Sequence, residues 1–369
     1  MLAYILRRLL LIVPTLFGIM VVNFAIVQVV PGGPVEQVIA QLTGQGGAAA
    51  SRISRASSDL APGAPSRGGG GSSEQSRYRG AQGLDPEFIK SLERQYGLDK
   101  PAGERFWLMM KSYVAFDFGE SYFRGRPVVE VVLEKMPVSI SLGVWTTLLT
   151  YLISIPLGIA KARRDGAPFD VWTSGAIIVG YAVPSFLFAV LLIIVFAGGT
   201  YLDWFPLRGL TSDNWETLSW PARIADYLWH ITLPVIAMSI GGFATLTMLT
   251  KNSFLDQINQ QYVTTARSKG LTERRVLYGH VFRNAMLIVI AGFPGAFVSI
   301  LFTSSLLIEV IFSLDGLGLL GFEAALNRDY PIMFGTLFFF SLLGLLMKLI
   351  GDITYTIVDP RIDFERRGA

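Results

Sequence analysis

With 369 residues, 51% of them hydrophobic and 16% charged, and a mean hydropathy of +0.48, the chain lies outside the balance of a soluble globular protein. A net charge of +3 is too small for a nucleic-acid-binding surface, and the lack of cysteine excludes disulfides, thiolate catalysis and thiolate metal sites. Two histidines in different segments, His230 and His280, exclude a histidine-rich metal centre, so the composition is that of an all-α polytopic membrane protein.

Stretches free of Asp, Glu, Lys and Arg cover 9–35, 136–160, 171–202, 227–250 and 284–308; a sixth, 330–347, continues past Lys348 and Asp352 to 358. At about 20 residues per crossing these predict six transmembrane helices. The first lies in an N-terminal segment 1–30. The others fall at about 137–160, 172–198, 228–250, 284–308 and 331–357, within a membrane domain 136–358, and 359–369 forms a tail. Arg7 and Arg8 precede a first run that is too long for a signal-peptide core and has no small-residue cleavage pattern, so it reads as a retained helix. Lys161, Arg163 and Arg164 follow the second span, and Arg267, Lys269, Arg274, Arg275 and Arg283 follow the fourth. The connections 203–226 and 309–329 carry four acids each. The positive-inside rule therefore predicts cytoplasmic N- and C-termini.

Between the first two spans lies an external segment, 31–135. Residues 40–80, rich in Gly, Ser and Ala, read as disordered. Residues 85–114 read as helical: Asp85 as cap, Pro86 at N1, Phe88, Ile89, Leu92 and Tyr96 at helical spacing and Gly97 as stop, then a second amphipathic piece, 104–114, with Phe106, Trp107, Met109 and Met110. This pair either packs on the membrane domain or meets a soluble partner.

The spans offer few ionisable groups: His230, and Lys348 with Asp352, which stand four apart on one face and are expected to satisfy one another. Pro156, Pro184, Pro234 and Pro294 are expected to kink their helices, and Gly241, Gly242 and Gly292 to allow close helix approach. The sequence holds no phosphate-cradling Gly-rich loop, no nucleophile elbow and no metalloprotease motif, which predicts no catalytic residue, no metal and no cofactor in this chain. Spans so poor in charge are weak equipment for an ion-coupled secondary carrier, though that class and a non-transporting scaffold stay open on composition alone.

The polar interval 251–283 separates two spans. Ile258, Tyr262 and Ala266 fall on one helix face, and Gly270 can stop that helix at C′. Thr272 can cap the next helix, with Glu273 in its first turn and Leu271 placed to staple onto Val276. By charge the interval is either a basic loop on anionic lipid or a docking element for a partner.

Tyr262-Val263-Thr264-Thr265-Ala266-Arg267-Ser268-Lys269-Gly270 resembles the cytoplasmic EAA loop of permease subunits in binding-protein-dependent ATP-binding-cassette importers, in the form used by dipeptide and oligopeptide systems. The Ala266-x-x-x-Gly270 spacing is kept, while Thr264 stands where the general pattern has Glu, and His280-Val281-Phe282-Arg283 departs from its I-x-L-P run. Several further stretches are similar to the same family: Pro31-Gly32-Gly33-Pro34, Tyr96-Gly97-Leu98-Asp99-Lys100-Pro101, Phe116-Asp117-Phe118-Gly119-Glu120-Ser121, Phe312-Ser313-Leu314-Asp315-Gly316-Leu317-Gly318, Asn327-Arg328-Asp329-Tyr330-Pro331 and Asp359-Pro360-Arg361-Ile362. Within it, the start of the external segment and the ending Ile362-Asp363-Phe364-Glu365 look most like the Yej-type oligopeptide and microcin C importers.

The resemblance implies a type I (MetI-like) importer permease fold in a bacterial inner membrane. It also implies a second permease as heterodimeric partner, two cytoplasmic ATPase subunits that bind ATP and Mg, and a periplasmic peptide-binding protein. It assigns Tyr262, Val263, Thr265, Ala266, Arg267, Lys269 and Gly270 to ATPase coupling, with Tyr262 and Val263 as apolar anchors and Ala266 and Gly270 giving close approach. Asp315, Gly316, Arg328, Asp329 and Tyr330 are either a tight turn with a local ion pair or a periplasmic gate and binding-protein contact.

Overall fold

Apolar runs long enough to cross a bilayer have no water to satisfy their backbone and must close their hydrogen bonds internally. The computed structural model describes residues 2–29, 35, 38–39, 87, 89–91, 99–199, 201–299 and 305–358, and these are helical through the predicted spans. In chain order the helices are α1 (Leu2–Val29), α2 (Ala102–Val114), α3 (Val128–Arg163), α4 (Pro168–Ala182), α5 (Ser185–Phe196), α6 (Trp220–Ile258), α7 (Gln261–Ser268), α8 (Glu273–Val276), α9 (Phe282–Ser299), α10 (Ser305–Ile311), α11 (Leu317–Asn327) and α12 (Tyr330–Val358). A π-helical turn, Leu277–Val281, joins α8 to α9 without a break. The expected disorder over 40–80, the Asp85 to Gly97 capping, the 31–34 motif and the 359–369 tail lie outside the described residues or only touch them.

Among the described residues five helices are each long and apolar enough to cross a membrane, and α4 with α5, bent by 96° at their junction, makes a sixth if the pair counts as one broken span. The third predicted span is therefore not one rod: the chain breaks at Val183 and Pro184, where proline removes a backbone donor and biases its predecessor away from the helix. Helices α3, α6 and α9 run on through Pro156, Pro234 and Pro294. The helix that carries the fifth predicted span begins at Glu273, and residues 305–308, placed at the end of that span, belong to the separate helix α10.

Close helix approach occurs at Gly158, where a Cβ would stand 2.6 Å from Thr250 Cβ, and at Gly242, where one would stand 3.0 Å from Thr150 Cγ2. Nothing lies within 4 Å of a Cβ at Gly241 or Gly292, so those two glycines are not the contact points that the sequence suggested.

The chain divides into two compact units, one of 1–16, 132–322 and 338–369, the other of 17–131 and 323–337. The first holds two apolar cores. One gathers Leu142, Ala189, Leu192, Ile231, Met238 and Phe312 from α3, α5, α6 and the end of α10; the other gathers Ile159, Phe254, Val263, Ala266, Val276 and Met286 around α7. In the second unit α2 packs on α1: the Phe106 ring lies 5.7 Å from Phe17 and 5.2 Å from Phe24, edge-on to both. Tyr113 of α2 is buried against Phe118, 4.7 Å between centroids.

Candidate functional site

Helix α7 sits between the end of α6 and the start of α8, outside any candidate span. Its C-terminal boundary follows the sequence signals, while its start at Gln261 does not, since Ile258, expected on the same helix, belongs to α6. Gly270 adopts φ +76°, the left-handed conformation glycine takes without strain, and Leu271 N–H bonds back to Ala266 C=O at 3.4 Å. Thr272 occupies the N-cap position of α8 without a capping hydrogen bond from its side chain, and Leu271 packs into the core that holds Val276, as a staple should.

The side chains of α7 divide sharply. Val263 and Ala266 are buried in the core formed by α3, α6, α8 and the π turn, while Gln261, Thr264, Thr265, Arg267, Ser268, Lys269 and Gly270 are exposed. Tyr262 is half-buried and donates its hydroxyl to Gln257 Oε1 at 2.9 Å. Val263, Ala266 and part of Tyr262 thus set their apolar surface against their own chain, because a short helix between spans becomes rigid only by burying one face. Removing Val263 from water contributes about 1.5–3 kcal/mol to that seat. The outward face is Gln261, Thr264, Thr265 and Ser268, at helical spacing, and its hydroxyls stay on their own backbone: Thr265 Oγ1 donates to Gln261 C=O at 3.0 Å and Ser268 Oγ to Thr264 C=O at 3.0 Å. Arg267 clasps Glu273 bidentately, at 2.9 and 3.2 Å, across the turn between α7 and α8.

Beside α7, three helices meet on a buried charge cluster that sequence reasoning missed. Lys161, from the end of α3, is fully buried; its Nζ donates to Asp170 C=O at 2.9 Å, Thr173 Oγ1 at 2.9 Å and Ser174 Oγ at 2.7 Å, and stands 2.9 Å from Asp170 Oδ1 as an ion pair. Lys251, on α6, donates to Asp170 Oδ2 at 2.7 Å and pairs with Asp165 at 2.7 Å. Two cations thus face two carboxylates. In the sequence Lys161 and Lys251 merely end charge-free runs, and only their distant partners reveal burial.

Asp315 and Gly316 lie on the turn between α10 and α11. Asp315 is bonded to Lys135 of α3, which also contacts Glu134 at 2.7 Å, so the ion pair is long-range and not the local one expected. Gly316 has no room for a Cβ, which would overlap the Glu309 carboxylate. Glu309, fully buried, accepts from Ser139 Oγ at 3.2 Å and from Leu319 N–H at 2.7 Å, while Leu317 N–H donates to Ser139 Oγ at 2.8 Å. A carboxylate and a hydroxyl thus cap the start of α11. Sequence reasoning counted Glu309 only as an external charge.

Arg328, Asp329 and Tyr330 join α11 to α12 within the other unit. Arg328 takes φ +57° without being glycine; buried Asp329 accepts from Ser121 Oγ at 2.5 Å and Tyr122 N–H at 3.2 Å; the Tyr330 ring lies 6.2 Å from Phe334. Two of the motifs picked out by sequence, 116–121 and 327–331, are therefore halves of one hydrogen-bonded junction.

The pair expected between Lys348 and Asp352 does not form. Asp352 takes Arg8 of α1 at 2.6 Å and the Tyr4 hydroxyl at 3.3 Å, because a guanidinium from the facing helix meets the carboxylate better than a flexible lysine on the same one. Among the described residues no group of three or more His, Asp or Glu is placed to hold a metal.

Residues 154–364 match the family described as binding-protein-dependent transport system inner membrane component. The chain is 63% identical over 365 residues to the peptidoglycan transport system permease protein YejB of Agrobacterium fabrum (strain C58 / ATCC 33970), covering 99% of each. It is 57% identical to the inner membrane ABC transporter permease protein YejB of Escherichia coli O157:H7, over 99% of this chain and 100% of that one. It is 33% identical to the oligopeptide transport system permease protein AppB of Bacillus subtilis (strain 168), over 99% and 100%. With several membrane-crossing helices and relatives of this length and identity, the chain belongs to the inner-membrane permease components of binding-protein-dependent transport systems.

Proposed function

We propose that this permease subunit forms half of the translocation pathway of an ATP-driven importer for oligopeptides or peptide-like compounds, and that α7 is its coupling helix. The Agrobacterium relative is named for peptidoglycan transport and the Bacillus relative for oligopeptides; the chemistry common to both is a peptide main chain. Spans with few ionisable groups suit such a cargo, since selectivity can reside in a separate periplasmic binding protein. In this reading both termini and α7 face the cytoplasm, and a second permease completes the pathway. Two partner ATPase subunits bind ATP with Mg, do the hydrolysis, and receive α7 in a groove. Closure of the ATPases on ATP then moves α6 and α9 through α7.

One observation carries the assignment: α7 is bolted to its own chain through Val263 and Ala266 while a polar face, Gln261, Thr264, Thr265 and Ser268 with Lys269, is left outward. A rigid helix with one free face transmits a push; a loop lying on lipid would turn its apolar side outward. The test is ATP-dependent uptake of a defined peptide by the reconstituted importer. Thr265→Trp, on the outward face, should abolish uptake while the membrane content of the protein stays normal. Uptake at the parental rate would overturn the assignment. Gly270→Trp should also stop uptake, but it strains a φ of +76° and so reports less cleanly.

A second reading takes Asp315 and Gly316 in one unit, and separately Arg328, Asp329 and Tyr330 in the other, as periplasmic gate or binding-protein contacts, each favoured by a non-glycine residue held at positive φ in the same turn, Ser313 at +52° and Arg328 at +57°. Crosslinks from these residues to the binding protein are the expected result, and a map without any would remove the reading.

A further inference from the structure

Helix α2 was a candidate external cap, yet it packs along α1 beside residues of the candidate span. The candidate span of α1 runs Tyr4–Gln28, and the single ring of Phe106 touches both Phe17 and Phe24. At 1.5 Å per residue those rings sit roughly 16 and 6 Å inward from Gln28. Phe106 therefore lies within the roughly 15 Å half-thickness of the hydrocarbon on that side. The opposite side of α2 leaves Trp107 66% and Val114 80% exposed, with Leu108 beside them. In water this would be an unpartnered apolar patch; in a leaflet it is solvated by acyl chains, and Lys111 on the same face is long enough to reach the headgroups.

Between α2, the outer part of α1 and the start of α12, all in one compact unit, is a cavity of about 330 Å³ with apolar walls that include Phe24, Leu108, Met109 and Phe334. That volume is at the lower end of ligand-binding pockets. Its polar residues are biased to one sign. Lys100 and Arg105 line it, Lys100 also pairing with Glu104 at 3.4 Å; among the described residues the one carboxylate in its wall, Asp117, accepts from Gly119 N–H at 3.0 Å. Arg105 reaches from the helix towards the end of the span, donating to Gln28 Oε1 at 2.7 Å, and its buried Nε has no hydrogen-bond partner among the described residues. An apolar slot at acyl-chain depth, with a guanidinium directed to the headgroup level and one donor unspent, has the chemistry of an anionic phospholipid.

We propose that α2 is embedded in the leaflet at the Gln28 end of α1 and that the cavity beneath it holds an acyl chain of an anionic phospholipid whose phosphate is met by Arg105 and Lys100. The proposal needs only the membrane location, and stands apart from the peptide cargo and from α7. Because the chain has no cysteine, single-cysteine variants need no background removal. A nitroxide on Trp107→Cys or Val114→Cys in phosphatidylglycerol–phosphatidylcholine vesicles should relax with oxygen, as one on lipid-facing Leu11→Cys does, and not with a water-soluble nickel chelate. Nickel accessibility at both positions would overturn the embedding.

For the ligand, native mass spectrometry of the full-length protein should show bound phosphatidylglycerol in preference to phosphatidylcholine of the same chains. Arg105→Gln should reduce that preference roughly fivefold and Arg105→Lys restore most of it. Ser112→Phe, which puts a ring into the cavity, should displace the lipid; if that variant fails to fold, the two Arg105 variants still decide. Equal retention of both lipids in all variants, or displacement of phosphatidylglycerol by inorganic phosphate alone, would overturn the lipid assignment.

Discussion

Two places in the larger compact unit bury carboxyl side chains, and the groups that meet them differ. Beside α7, Lys161 and Lys251 are matched by Asp170 and Asp165, charge against charge, across α3, α4, α6 and the turn between α3 and α4. At the turn between α10 and α11, the carboxyl group of Glu309 has a serine hydroxyl and a backbone N–H among its donors. A buried ion pair costs desolvation on both partners, and losing either leaves a bare charge, so it ties separate helices together all or nothing. A carboxylate held by neutral donors positions one turn and can be given up at the cost of ordinary hydrogen bonds. The first arrangement suits an element that must move as a body with α7; the second suits a turn that has to hold a shape around Gly316.

Breaking the two clusters separately gives the largest expected contrast. Asp170→Ala leaves two buried lysines without their shared carboxylate and should cost about 3–5 kcal/mol, enough to remove most folded protein from the membrane. Thermal unfolding of the detergent-extracted protein measures it, and a loss of under about 1 kcal/mol would mean that the lysines find other partners. Glu309→Gln keeps shape and one acceptor but turns an amide toward at least one donor. The expected cost is about 1–3 kcal/mol, with the protein still folded. If it matched Asp170→Ala in severity, a cation would have to be balancing Glu309.

The same contrast explains what could be read from the sequence. The stop of α7 at Gly270 and the restart after Thr272 are local events within a few residues, written in spacing and turn chemistry, and they stand as expected, whereas Ile258, expected on the same helix, ends α6 and α7 begins at Gln261. The faces of α7 were not readable in full. Tyr262 and Ala266 line up along α7 with Ile258 at the end of α6, but whether that row meets its own chain or a partner depends on Ile159 and Ala162, about a hundred residues earlier. Glu309 and Asp170 were invisible as buried groups for the same reason: their partners Ser139, Lys161 and Lys251 come from other helices, and an acidic residue at the end of an apolar run looks the same whether it points to water or inward. Lys348 with Asp352 shows the converse error, where a local pairing rule yields to Arg8 from a distant part of the chain. The bend at Pro184 was legible as a kink, but its size of 96° was not.

The finest division lies within α7 itself, between contacts that hold the helix and contacts left for a partner. Arg267 and Glu273 form a bidentate pair whose side chains are 44% and 67% exposed, a geometry worth under about 1 kcal/mol to stability. Neither Arg267→Gln nor Glu273→Gln should shift the unfolding temperature noticeably. If the pair serves only to brace the turn between α7 and α8, the two substitutions should lower peptide uptake equally, since each breaks the same bonds. If Arg267 also bonds an acceptor on an ATPase subunit, Arg267→Gln should lower uptake several-fold more than Glu273→Gln. The ratio of the two uptake rates therefore separates bracing from docking at a residue where stability is silent, and a ratio near one assigns Arg267 to the brace.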